Sequence, residues 1–384
     1  MKRLTLILAT ALMMTACQEA GVPAIDKNNF DESVALKDNF YQWATGGWQK
    51  NNPLKPEYSR YGSFDVLREN NEIRINELFN EMSATKAEFG SVEQKISDLY
   101  KMGLDEERLN REGAEPIREA VNAILATESR DELIASIPQL HTDGIGVFFA
   151  GYPAADLADS NMTIFYLEQG GLCMGNRDYY VDEKNAEIKA AYRTYLEKIF
   201  TLAGVEGDIA KMVEDVVAVE DRIAVNSWTN VECRDIVKGY NPHTMDEVRA
   251  KYNTVNWDAY FAAMNVEALD KIVVSQPSSF ANTLEVLATA DVEALRNYVA
   301  AHYINSAGSY LSEEYALASF EFFGKTMSGT QEIRPRWKRA MGVPNSILSE
   351  AVGQIYVAKY FPESEKARVE GMVSNIQQAF SKHI

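Results

Sequence analysis

Residues 38–69 read DNFYQWATGGWQKNNPLKPEYSRYGSFDVLRE. An aromatic-rich opening gives way to two prolines, Pro53 and Pro56, then to the turn Arg60-Tyr61-Gly62, then to the start of a helix. Proline and glycine are the strongest local punctuation a chain carries, so the prolines and the turn read as loop up to the helix start. At that helix Ser63 suits an N-cap, Asp65 is a favourable acid in the first turn, and Arg60 is a solvated loop charge. A second chemistry fits the same residues. A guanidinium fork matches a carboxylate bidentately, and a nearby carboxylate fixes its direction, so Arg60 with Asp65 is a candidate carboxylate-binding pair.

Outward from this stretch, helical periodicity dominates. SVEQKISDLY (91–100) opens with a Ser91…Gln94 capping box and places Val92, Ile96, Leu99 and Tyr100 on one face. Ser129…Glu132 repeats the start signal, and Pro116 suits a first helical position. Ile188, Tyr192, Tyr195, Ile199 and Leu202 form a long apolar stripe that Gly204 ends, and Ile209, Met212, Val213, Val216 and Val217 begin another. Such stripes are core. IGVFFAG (145–151) and MTIFYLE (162–168) are short, β-branched and aromatic, with a turn-rich segment between them, and predict a β hairpin. The predicted class is mainly α with one small hairpin. The Gly170–Gly171 pair that follows is not a phosphate loop, because no P-loop lysine pattern accompanies it.

The formal net charge of −18 argues against a nucleic-acid binder. RPRWKR (334–339) is the one basic, aromatic-bearing cluster, and it reads as a helix surface pairing with acidic neighbours. At the N-terminus Lys2 and Arg3 precede the apolar run LTLILATALMM, with Thr15 and Ala16 before Cys17. That is a secretory leader, too short to span a bilayer. Small residues ahead of Cys17 resemble the bacterial lipobox, which predicts a lipid anchor on Cys17 and a place in the cell envelope, at an outer membrane or in the periplasm; soluble release is the alternative. Residues 1–17 are the leader and 18–34 a polar tether. Cys173 and Cys233 remain, either paired in an oxidising compartment or as two isolated thiols.

Four blocks in order resemble the neprilysin and endothelin-converting-enzyme family of zinc metallopeptidases: residues 38–69, EQGGLCMGNRDYYVDE (168–183), FEFFGKTMSGTQEIRPRWKRAMG (320–342) and GQIYVAKYFPESEKARVEGMVSNIQQAF (353–380). The resemblance implies that residues 35–384 are the N-terminal domain of a two-lobed, largely helical peptidase that encloses a central cavity. It implies that Arg60 binds the C-terminal carboxylate of a peptide substrate, that Asp65 orients Arg60, and that Arg68 borders the same subsite. It also implies zinc held by two histidines one helical turn apart, with a glutamate between them as general base and another downstream. Of the four histidines, His141, His243, His302 and His383, none is followed by Glu and no two lie four residues apart. No catalytic residue and no metal ligand is therefore expected in this chain. Zinc is expected only in a full-length enzyme, and a missing catalytic domain is expected as a partner.

Two functions follow. The first is the N-terminal domain of an exported, lipid-anchored zinc endopeptidase that hydrolyses peptides, cut before its zinc and inactive alone. The alternative is a non-catalytic surface lipoprotein that binds peptides or another protein. A serine or cysteine hydrolase has no nucleophile-elbow or Cys/His signature behind it.

Overall fold

Periodicity in the sequence becomes helix across most of residues 25–266 and 269–383, the residues that the computed structural model describes. The leader and Cys17 lie outside them, as does much of the tether. The chain divides into two units, one running through Arg68 and one from Glu69 onward.

The first unit is built on α1 (Phe40–Asn51), which Asn39 caps. Residues 26–33, read from sequence as the end of the tether, pack on this helix. Phe30 stacks on Trp43 at 4.5 Å, and the Asp31 N–H donates to the Trp43 carbonyl at 2.7 Å. The approach is close enough to require Gly47, where a Cβ would collide with the carbonyls of Asn28 and Phe30. Helix α2 (Ser63–Ala84) begins in this unit.

In the second unit, Ser91 caps α3 (Val92–Leu104) by accepting the Gln94 N–H at 3.2 Å. The predicted box closes only halfway, because the Gln94 side chain takes the Gly90 N–H in place of that of Ser91. Helix α4 (Glu115–Leu125) carries Pro116 as its second residue, one place later than expected. The full box forms at α5 (Arg130–Thr142), between Ser129 and Glu132.

The hairpin is β1 (Phe149–Ala155) with β2 (Thr163–Gln169), antiparallel, pairing Phe149 with Gln169 and Ala155 with Thr163. β1 starts four residues later than the sequence suggests. Phe148 holds a left-handed φ of 57°, and its N–H donates to the Tyr298 hydroxyl at 2.9 Å, so residues 145–148 feed the core before the strand begins. Gly171, at φ 74°, passes so close to Phe148 and Tyr298 that a side chain would collide with both. The glycine pair thus serves chain packing.

Helices α6 (Ala186–Leu202) and α7 (Ile209–Ala224) follow, then strands β3 (Pro242–Thr244) and β4 (Lys271–Val274). The expected hairpin is part of a four-stranded mixed sheet in the order β1-β2-β4-β3, with β2 and β4 parallel. Pro153 is tolerated because β1 is an edge strand. The chain continues through α8 (Pro277–Thr289), α9 (Val292–Ala307) and α10 (Glu313–Ser319), which runs into a π-helical turn at Phe320–Met327. It closes with α11 (Arg336–Ile347), α12 (Ser349–Tyr360) and α13 (Glu363–His383).

Burial follows the predicted stripes of α6 and α7 and includes Ile96 and Tyr100 of α3, while Val92 of that face is exposed. Ile137 of α5, Phe280 and Leu287 of α8 and Leu295 of α9 pack under the sheet. Tyr192, Leu196 and Ile199 of α6 pack on Val213, Val216 and Val217 of α7, and on Ala300 and Ile304 of α9. A third cluster joins Phe79 of α2, Tyr100 of α3, Met341 of α11 and Val352 of α12.

Candidate functional site

The Arg60–Arg68 segment sits where the loop of the first unit turns into α2. Gly62, not Ser63, takes the cap position: its carbonyl accepts the Val66 N–H at 3.1 Å, and its N–H donates back to Asp65 Oδ2 at 2.8 Å. The other Asp65 oxygen, Oδ1, accepts from Arg68 Nη2 at 2.7 Å. Asp65 therefore clips Arg68, one helical turn on, and both of its oxygens are engaged away from Arg60. The Arg68 guanidinium lies 5.5 Å from the Tyr58 ring centroid, and Tyr58 in turn packs edge-on against Tyr61 at 5.3 Å. Arg60 is exposed and forms no ion pair or hydrogen bond among the described residues. The segment thus presents one guanidinium fixed by carboxylate and aromatic contact, with another uncommitted guanidinium eight residues earlier. Such an arrangement can receive an anion without first breaking an internal pair.

The basic run at 334–339 pairs with acids, as its sequence suggests. Arg334 reaches Glu72; Arg336 and Arg339 converge on Glu313, with contacts of 3.3 and 2.8 Å. Lys338, by contrast, is buried, its ammonium 3.4 Å from Glu69. Cys173 and Cys233 are free thiols, and burial pushes the Cys173 thiol up and out of reach of neutral-pH chemistry.

Among the described residues no three His, Cys, Asp or Glu side chains are grouped to hold a metal. The histidines are committed elsewhere. His141 contacts the Tyr260 hydroxyl at 2.8 Å and the Val147 carbonyl at 2.9 Å, and burial lowers its pKa. His243 Nδ1 lies 2.9 Å from the Asn241 carbonyl, and His383 is exposed at the end of α13. The donors among the described residues do not fit a zinc site.

One polar centre was not anticipated from sequence. His302 of α9 is buried, with Nδ1 2.9 Å from the Gly146 carbonyl and Nε2 2.9 Å from Glu220 Oε1 of α7. Because a carbonyl only accepts, Nδ1 is the donor there. The Nε2···Oε1 contact is then completed by a proton held on one partner or the other. Glu220 Oε1 also accepts the Cys173 N–H at 2.9 Å. The signal for this was present: Glu220 stands on the apolar face of its helix, three and four residues after Val217 and Val216. It is a structural tie between two core clusters, and its Glu220 carboxylate is fully buried.

Comparison with known proteins agrees with this architecture. The N-terminal profile of peptidase family M13 matches residues 36–384. Endothelin-converting enzyme 1 of Bos taurus is 25% identical over 374 residues, covering 93% of this chain and 49% of the enzyme. Neprilysin-11 of Caenorhabditis elegans is 24% identical over 380 residues, covering 92% and 44%. The crystal structure of the Mycobacterium tuberculosis zinc metalloprotease Zmp1 in complex with an inhibitor superposes with a TM-score of 0.86 at 28% identity, over 93% of this chain and 54% of that one. The chain thus spans about half the length of the curated relatives it matches. On its sequence and its fold alike, it belongs to peptidase family M13, as the N-terminal domain of that family.

Proposed function

We propose that this chain is the substrate-orienting, non-catalytic half of an exported zinc endopeptidase acting on peptides. The carrying observation is the exposed, uncommitted Arg60 beside the Asp65–Arg68 clip, on a chain that matches family M13 across residues 36–384. In this reading Arg60 receives the terminal carboxylate of the peptide, Asp65 and Arg68 shape the same subsite, and zinc with its ligands comes from a further domain. The bare apolar face of α13 supports a further body of protein. Met372, Ile376 and Phe380 are 56%, 56% and 64% exposed, and no residue of this 21-residue helix is buried. The leader pattern supports a lipid anchor at Cys17 and retention in the cell envelope, and this chain alone is then inactive.

The test is the coding sequence past the Ile384 codon. A downstream His-Glu-x-x-His helix, expressed in frame with this chain, should give zinc-dependent peptide cleavage. In that enzyme Arg60→Met should raise KM for peptides with a free C-terminus by about tenfold or more, as expected for losing a hydrogen bond to a charged group. Amidated peptides should be little affected. If no such sequence exists, the peptidase reading fails and the non-catalytic peptide-binding lipoprotein takes its place.

A further inference from the structure

The second unit holds a groove of 490 Å³ between α6 and the α10–π-turn segment, within the size range of small-molecule sites. Its floor is aromatic. Tyr195 of α6 and Phe322 line it, stacked at 5.4 Å, and Phe323, outside the lining, packs edge-on against Tyr195 at 5.2 Å. The Tyr195 hydroxyl is already bound to Asn305 at 2.6 Å. Leu317 and Ala318 extend the apolar lining. The wide turn that presents the two phenylalanines is held by hydroxyls: Thr326 and Ser328 donate to the carbonyls five residues back, at 2.9 and 2.7 Å. Such turns occur frequently at functional sites.

Two charges on the rim decide the ligand. Lys198 comes from α6 and Glu314 from α10, and neither forms an ion pair or hydrogen bond among the described residues. Their neighbours are engaged: Glu313 with Arg336 and Arg339, Glu321 with Lys325. Uncommitted charges of opposite sign over an apolar floor complement a molecule with a carboxylate at one end, an ammonium at the other, and an apolar body. We infer that this groove binds a short apolar peptide with both ends free. Lys198 takes the carboxylate, Glu314 the ammonium, and Leu317 with Phe322 the side chains. The site needs neither a metal nor a second domain, so its failure would leave the peptidase reading untouched.

The test titrates the dipeptide phenylalanylleucine into the full chain by calorimetry, with no metal added. Saturable binding is expected, weakened several-fold by N-acetylation or by C-amidation of the probe. Glu314→Gln should erase the discrimination against the acetylated probe, and Lys198→Met the discrimination against the amide. Leu317→Arg should weaken binding by about tenfold or more, a loss near 1.4 kcal/mol. Lys198 and Glu314 are exposed, so their variants keep the test meaningful if Leu317→Arg does not fold. Absence of saturable binding to the unmodified chain overturns the inference. So does binding that both charge variants leave unchanged, since the peptide would then sit elsewhere.

Discussion

Asp156, at the turn after β1, joins three separate parts of the sheet region. Its carboxylate takes the Lys271 ammonium at 2.8 Å, the Tyr240 hydroxyl and the Ala158 N–H at 2.9 Å. The Lys271 contact, then Tyr240 and the Ala158 N–H, hold its pKa at about 2, below the ordinary 3.8. A depressed carboxylate pKa contributes stability that is present above the unfolded value and lost as pH falls through the folded one. Melting temperature should therefore drop between about pH 4 and pH 2, and Asp156→Asn should flatten that part of the profile. A variant profile as steep as the wild type's would assign the acid sensitivity to other groups. Asp156 itself carries no motif; its partners lie 84 and 115 residues away, a separation that no local pattern encodes. Asp65 is the opposite case. Its bond to Arg68 is an i, i+3 helix contact and follows from spacing. Its expected bond to Arg60 does not form, because Arg60 precedes the helix and leaves the carboxylate to Gly62 and Arg68.

Among the elements, helices were legible wherever an apolar stripe recurred at 3.6-residue spacing, as in α6 and α7. The hydroxyl caps Ser91 and Ser129 marked the starts of α3 and α5, whereas at Ser63 the cap fell one residue earlier, on Gly62. Strands were harder. β3 and β4 are three and four residues long, too short for alternation to register, and their link to the hairpin runs through the parallel pairing of β4 with β2, more than a hundred residues earlier. β1 was displaced because Ile145, Val147 and Phe148 look like strand residues, while one left-handed backbone angle makes them core plugs. Helix α13 carries an apolar stripe that nothing among the described residues buries. Five apolar side chains on it, from Val369 to Phe380, are exposed. The chain on its own should therefore self-associate with rising concentration, and Met372→Lys with Ile376→Lys should restore the monomer while keeping helix content. Sedimentation velocity with circular dichroism checks both. A wild-type chain that stays monomeric throughout would show that this face needs no cover.

Across the whole molecule, family and fold class were readable from four ordered blocks, whereas the linkage between cores was not. α9 serves two clusters at once, with Leu295 and Tyr298 in one and Ala300 and Ile304 in the other. His302 on the same helix ties Glu220 of α7 to the loop at Gly146. Replacing His302 by Leu leaves the buried Glu220 Oε1 with the Cys173 N–H alone and takes the His302 ring from the Gly146 carbonyl. A lost intramolecular hydrogen bond costs about 1 kcal/mol, so the denaturation midpoint should fall measurably with the transition still single. An unchanged midpoint would mean that water or rearrangement replaces the ring. Because Glu220 is wholly enclosed, this tie sets how the second unit holds together and leaves recognition to the surface.

The π turn at Phe320–Met327 carries one residue more per turn than an α-helix would need. That surplus lets the consecutive residues Phe322 and Phe323 both reach Tyr195, although neighbours on an ordinary helix point about 100° apart. Seen as a length polymorphism, the extra residue belongs to the groove more than to the scaffold. A chain shortened by one there could keep its helix, its caps and its core, and lose only the double aromatic grip on Tyr195.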